Sequence, residues 1–422
     1  MIPTSFPFAL FVFFKKWNDH YVSVLPNVKR LQLRIFSLLL SVCTAGHSAD
    51  FNFPNNLPSG CSGNNGNYTC GPLVLNAGDT LSTMSGLVVN VTINGDFTAG
   101  IGAKINPGGS AGSLNILVNG KTIIGTNPVI NANIASVGTG STIDIDADSK
   151  ISGSLTTENA AINVGDRSSI IGSLSTTVTG VITVGADSSV SGGLTTKTGA
   201  INIGANTKTG ALISTSAGAV TTGAGSVVNG KISTGAGAVT TGANSKVTGN
   251  VTTSVGAITI GAGGTVGGKL NNLDTSTAGA VTVGDGAVIT GTIVTGAGAV
   301  TLGVNAQAAG IATQDGAITI GSLSSLKGSA CTGNSGAITV GANAKVGGNV
   351  ITRKAGAITI GASATVAGVA VAKGAGDVSL GAGSRVGTTE NSSQCADVAV
   401  VDPKPSAPPT IKSREWRQIF MR

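Results

Sequence analysis

The stretch Lys246-Val247-Thr248-Gly249-Asn250-Val251, followed by Gly256-Ala257-Ile258-Thr259-Ile260-Gly261, carries the pattern that decides the fold. Apolar residues alternate with small or polar ones, and this period of two predicts short β-strands punctuated by glycine. The unit recurs. Aligned on the residue after the Ile-Thr-Ile core, copies fall at Asp146, Gly165, Gly185, Gly204, Gly223, Gly242, Gly261, Gly284, Gly303, Gly321, Gly341, Gly361 and Gly381. Most steps are 19 or 20 residues, and Asn271–Ser276 reads as an insertion before Gly284.

The columns behave as packing requires. Three residues before the anchor, every copy from Ile143 to Val378 is β-branched. One residue before it, all are aliphatic except Thr222 and Thr241, and seven after it runs a second glycine column that includes Gly192 and Gly249. Two or three short strands cannot bury their apolar side alone, but stacked coils can, since each strand then pairs with its equivalent above and below. Glycine is expected at the corners to relieve tight bends. The fold class is therefore all-β, a single-stranded parallel β-solenoid of about 19–20 residues per coil, with right-handed coiling as the default for parallel crossovers.

Composition agrees. The 422 residues include 65 glycines, 3% aromatic and 10% charged residues, beside 41% apolar ones. Disorder wants lower hydrophobicity and more net charge. Aromatics are missing from 98–415, which a narrow Ile/Val/Ala interior tolerates and an ordinary globular core does not. The formal charge of +7 is concentrated in the two ends, in residues such as Lys15, Lys29, Arg34, Lys404 and Arg417. The lysines between are isolated in sequence, so no basic stripe and no nucleic-acid partner is expected.

Lys29, Arg30 and Arg34 precede an apolar run from Ile35 through Cys43 and the small residues Thr44–Ala49, the order of a secretory signal peptide. The expected setting is exported: periplasm, outer surface or extracellular medium. Met1–Pro26 stands awkwardly in front of it, either because translation begins near Val24 or Val28 or as a first membrane-associated segment. The expected organisation is a leader over 1–49, an N-terminal cap with first coils over 50–140, repeats over 141–390, a C-terminal cap and Pro-rich linker over 391–412, and a basic, aromatic tail over 413–422. Phe51, Phe53 and Tyr68 are candidates to close the first coil. Cys61 and Cys70 flank a Gly/Asn-rich loop and are expected to form a disulfide in an exported protein. Cys331 and Cys395 pair only if the chain around Cys395 folds back.

Catalytic chemistry is scarce. The only histidines are His20 and His47, both in the leader, and the acidic residues Asp166, Asp187, Asp285, Asp315 and Asp377 are scattered. The mature chain thus lacks the commonest general base, and no enzyme activity and no cofactor is expected. One metal reading is open: Asp144, Asp146 and Asp148 alternate, and on one strand their carboxylates would project together, as a calcium site requires. The alternative is a solvated edge beside Lys150. Two residues before the anchors stand Thr183, Thr221, Thr240, Thr259, Thr282, Thr301, Thr319, Thr339 and Thr359, with Asn163 and Asn202 in the same column. This outward ladder is either ordinary solvent-facing strand or an ice-binding plane. The latter wants a second Thr column, for which Thr177, Thr196, Thr215, Thr234 and Thr253 are candidates.

The unit quoted at the outset resembles the bactofilin-type polymer-forming β-helix over about 140–390, which implies self-association into filaments; bactofilins are cytoplasmic and shorter, so an export signal departs from that family. The segment from Cys61 through Asn119, with Tyr68-Thr69-Cys70 and Asn94-Gly95-Asp96-Phe97, is similar to the N-terminal part of MSHA-pilus biogenesis proteins of the MshQ type. That resemblance implies a surface or pilus-associated protein of a Gram-negative bacterium, with cell-surface or pilus components as partners. In the tail, Trp416, Ile419 and Phe420 fall on one face of a short helix. Three readings stay open for it: docking a protein or membrane surface, docking back on the solenoid, or disorder. The function expected is an exported structural or adhesin-like rod; the alternative is ice or surface binding through the Thr ladder.

Overall fold

The computed structural model describes residues 48–272 and 279–389. They form a parallel β-solenoid with three strand positions per coil. The first face is one 16-stranded parallel sheet running from Leu73–Leu75 to Val378–Leu380. The second and third faces carry the remaining strands, which merge into one sheet where Val288–Thr295 and Gln307–Thr313 run through the corner between them. Thirteen of the coils are the aligned repeats; three more precede them, so the divergent residues after the leader already wind in the same register.

Register explains the sequence columns. Ile258 pairs with Val239 on one side and Val281 on the other, and all three are fully buried. The interior of a coil is closed by Ile258 and Ile260 from the first face, Val266 from the second and Leu270 with Asn272 from the third. Burying such a side chain stabilises by roughly 1.5–3 kcal/mol, so a thin column suffices when every coil repeats the contribution. Asn271 and Asn272 belong to the strand Leu270–Asn272, in register with Thr252 and Thr253. The extra residues of this coil therefore begin after Asn272, later than the sequence suggested.

The corners correct one expectation. Anchor glycines such as Gly204 do not adopt left-handed backbone; a Cβ there would lie 2.5 Å from the amide nitrogen of Ala186 in the preceding coil. At Gly192 a Cβ would lie 2.2 Å from the carbonyl oxygen of Gly172. Close stacking of coil on coil, and not the bend, demands glycine at both columns. The left-handed turn sits two residues after the anchor. There Asp148, Arg167, Asp187, Asn206, Asn244, Asn305, Leu323, Asn343 and Ser363 all have φ between 55 and 62°, save Asn305 at 54°. Asn and Asp tolerate that backbone, whereas a branched aliphatic residue is strained. Leu323 is also 58% exposed, so its side chain gains little from packing. Leu323→Asn is therefore expected to stabilise the chain by about 1 kcal/mol, read as a higher thermal midpoint by circular dichroism.

The N-terminal end is closed by larger groups. Phe53 and Tyr68 are buried with ring centroids 4.7 Å apart, and Phe51 packs beside them. Cys61 and Cys70 stand opposite each other in an antiparallel hairpin, Cys61–Asn64 with Asn67–Cys70, and are joined by a disulfide. The Asp79 carboxylate accepts from the amides of Ala49 and Asn76, both at 2.7 Å, tying the first strand to the first corner. At the far end the inward positions Val378 and Leu380 are 39% and 59% exposed. Cys331, at the centre of Ala330–Thr332, is buried and disulfide-bonded, with its partner outside the described residues. The leader up to residue 47, Cys395, the Pro-rich linker and the tail with Trp416, Ile419 and Phe420 all lie outside the described residues.

Candidate functional site

Each strand of the first face is three residues long, and in all but the terminal Val378–Leu380 its two ends are buried and its centre faces outward. The outward centres pair in one unbroken column: Asp144, Asn163, Thr183, Asn202, Thr221, Thr240, Thr259, Thr282, Thr301, Thr319, Thr339 and Thr359. From Thr221 onward eight successive coils present threonine. Alanines flank them for most of that length, as Ala219 and Ala224 flank Thr221 and Ala337 and Ala342 flank Thr339. The surface is flat, hydroxyl- and methyl-bearing, and nearly uncharged.

The second Thr series does not join it. Thr196, Thr215, Thr234 and Thr253 are buried at the inward end of third-face strands. Their hydroxyls point into the corner that leads back to the first face; Thr253 donates to the carbonyl of Gly256 at 2.6 Å, and Thr295 repeats the bond to Gly298 at 2.6 Å. Thr177 is out of this column altogether, because Thr176 is the residue that stacks on Thr157. Strand parity explains the correction: these threonines share the side of Leu194 and Val251, two residues earlier, which face the core. They close corners and offer nothing to a ligand.

The three aspartates also separate. The strand Ile143–Ile145 holds only Asp144; Asp146 begins the corner and Asp148 occupies the left-handed position, so the three carboxylates do not alternate along one strand. Asp144 accepts from Thr142 and from Asn163, each at 2.6 Å. Asp148 takes two hydrogen bonds from the Arg167 guanidinium one coil on, at 2.8 Å each, and this pairing holds its carboxyl below the usual range. A carboxylate already neutralised by arginine is a poor cation ligand. Among the described residues no group of three or more His, Cys, Asp or Glu side chains is placed to hold a metal. A depression of about 550 Å³ beside Met84, Leu87, Asn106 and Ser113 bears no titratable side chain.

One surface was missed from sequence. The outward column of the second face carries Lys104, Lys150, Lys208, Lys246, Lys345 and Arg385, in register through the whole solenoid. Lys231, Lys269 and Lys327 lie just past it, at the glycine corner toward the third face. The expectation of no basic stripe is thus overturned. Residues about 40 to 100 apart in sequence fall on one line because the coil returns to the same azimuth each turn.

These features define a class, a repetitive parallel β-solenoid whose outer faces are long ladders of single residue types. No protein family, curated protein or solved structure matches this chain.

Proposed function

We propose that the chain is an exported, non-enzymatic β-solenoid rod, a structural or adhesin-like component of a bacterial surface or pilus. The observation that carries this reading is the unbroken in-register stacking of sixteen coils from Leu73 to Leu380. At about 4.8 Å per coil this is a stiff column roughly 70 Å long, a shape that holds groups apart or presents a long face. The signal-peptide order of Lys29 to Ala49 supports export, and the likeness to MshQ-type sequences supports a surface setting; the bactofilin-type pattern supports only the self-associating form of the rod, since that family is cytoplasmic. Electron microscopy of the purified full chain tests it. Discrete rods are expected for a spacer or adhesin, and end-to-end filaments for the polymer-forming variant of the reading; compact particles would remove the proposal.

A second reading, surface or ice binding through the first face, draws support from the eight consecutive threonines Thr221 to Thr359 and their alanine flanks. A single Thr column makes it the weaker of the two. Absence of thermal hysteresis in the purified chain would eliminate ice as the surface.

A further inference from the structure

We propose that the cationic side of the solenoid is a binding surface for an acidic polysaccharide, an extended glycan bearing carboxylates along its length. Lys104, Lys150, Lys208, Lys246, Lys345 and Arg385 share one ladder on the second face, and every one of them is exposed. Lys231, Lys269 and Lys327 are exposed beside that ladder. Between Lys208 and Lys269 each of four consecutive coils contributes one lysine, alternating between the face and its glycine corner. In that stretch Lys208 and Lys246 on the face, and Lys231 and Lys269 at the corner, are each two coils apart, about 10 Å.

The opposite sign is absent from this side. Among the described residues, the second face, the third face and the corner between them hold no Asp or Glu in any coil from Lys150 to Arg385. The acids lie instead on the first face and its edges, as Asp144, Asp166, Asp187 and Asp285 do. None of the nine cations makes an ion pair among the described residues, where Arg167 and Asp148 do. A solenoid would satisfy its lysines cheaply by placing glutamate one coil away in the same ladder. It does so nowhere on this side, so the cations are left for an external partner. A line of unpaired charge running parallel to the axis matches a linear polyanion better than a globular one, since each charged coil adds one more modest contact.

The chemistry around the lysines favours a glycan over a nucleic acid. Ser189, Ser191, Asn229 and Thr248 are exposed among them and offer donors and acceptors to sugar hydroxyls. Single-stranded nucleic acid is held by bases stacking on aromatic side chains, and no aromatic residue occurs between 98 and 415. The inference deepens the rod reading by naming what the rod would grip outside the cell, and to that extent it rests on export.

Calorimetry on the purified full chain with polygalacturonate, dextran and oligodeoxythymidylate tests it. Polygalacturonate is expected to bind, dextran not, and the binding to weaken as salt is added. The quadruple variant K208Q/K231Q/K246Q/K269Q, with circular dichroism unchanged, is expected to bind about tenfold or more weakly. The matching lysine-to-arginine variant is expected to retain binding, which separates charge from any effect on folding. Unchanged affinity in the glutamine variant overturns the proposal, as does tighter binding of the oligonucleotide than of polygalacturonate. The assay needs no cell, so its failure would leave the rod architecture standing, and a failure of export would leave its result standing.

Discussion

Ile258→Asp is expected to break the solenoid in the middle, whereas Thr259→Asp, one residue on, is expected to change stability by no more than about 0.5 kcal/mol. Ile258 is fully buried between Val239 and Val281, and a carboxylate there has no partner. An unpaired buried charge costs at least several kcal/mol. Trimming to Ile258→Ala alone costs about 2–5 kcal/mol through the lost contacts and the cavity. Thr259 is the outward centre of the same strand and meets water. In a stacked array each coil touches only its neighbours, so the damage is local first and then splits the array into two shorter blocks. Hydrogen exchange followed by mass spectrometry should show lost protection centred on the coils of Val239, Ile258 and Val281, and near-normal protection at Ile162 and Ile338. Equal effects of the two aspartates would contradict the assigned parity of the first face.

Removing the N-terminal closure is the second large effect. In Phe53→Ser with Tyr68→Ser, two buried rings in mutual contact disappear from the end of the column. Losing the phenylalanine alone costs roughly 3–5 kcal/mol. The next strand inward, Thr80–Thr83, pairs with Asp50–Phe53, so loosening the latter bares a row of unpaired backbone donors and acceptors. Exposed edges of this kind recruit other chains. Sedimentation should therefore show concentration-dependent growth in mass for the double variant and none for Asn64→Ser, an exposed change in the nearby hairpin. A variant that stays the size of the parent would show that the rings are dispensable as a plug.

Period-two alternation, the β-branched column from Ile143 to Val378 and the near-constant step between anchors were enough to specify strands, coils and an Ile/Val interior. These features are local or strictly periodic, and a solenoid's long-range contacts are its period. The Cys61–Cys70 staple was legible for the same reason, since a nine-residue separation needs only a hairpin. The aspartate and second threonine assignments failed because they required knowing where a three-residue strand stops. Asp146 continues the alternation in sequence, yet the backbone has already turned; Thr196 looks like its outward neighbours, yet parity on the third face sends it inward.

The chain by itself determined that coils stack and which side chains fill them, because alternation and repeat length are written in residue order. The outward threonine column was legible in the same way, but only the tertiary structure decided which residues line up on the second face and which side the third-face threonines take. The azimuth at which each residue emerges is a sum over every corner before it, so cations as far apart as Lys104 and Arg385 become one line only when the winding is complete.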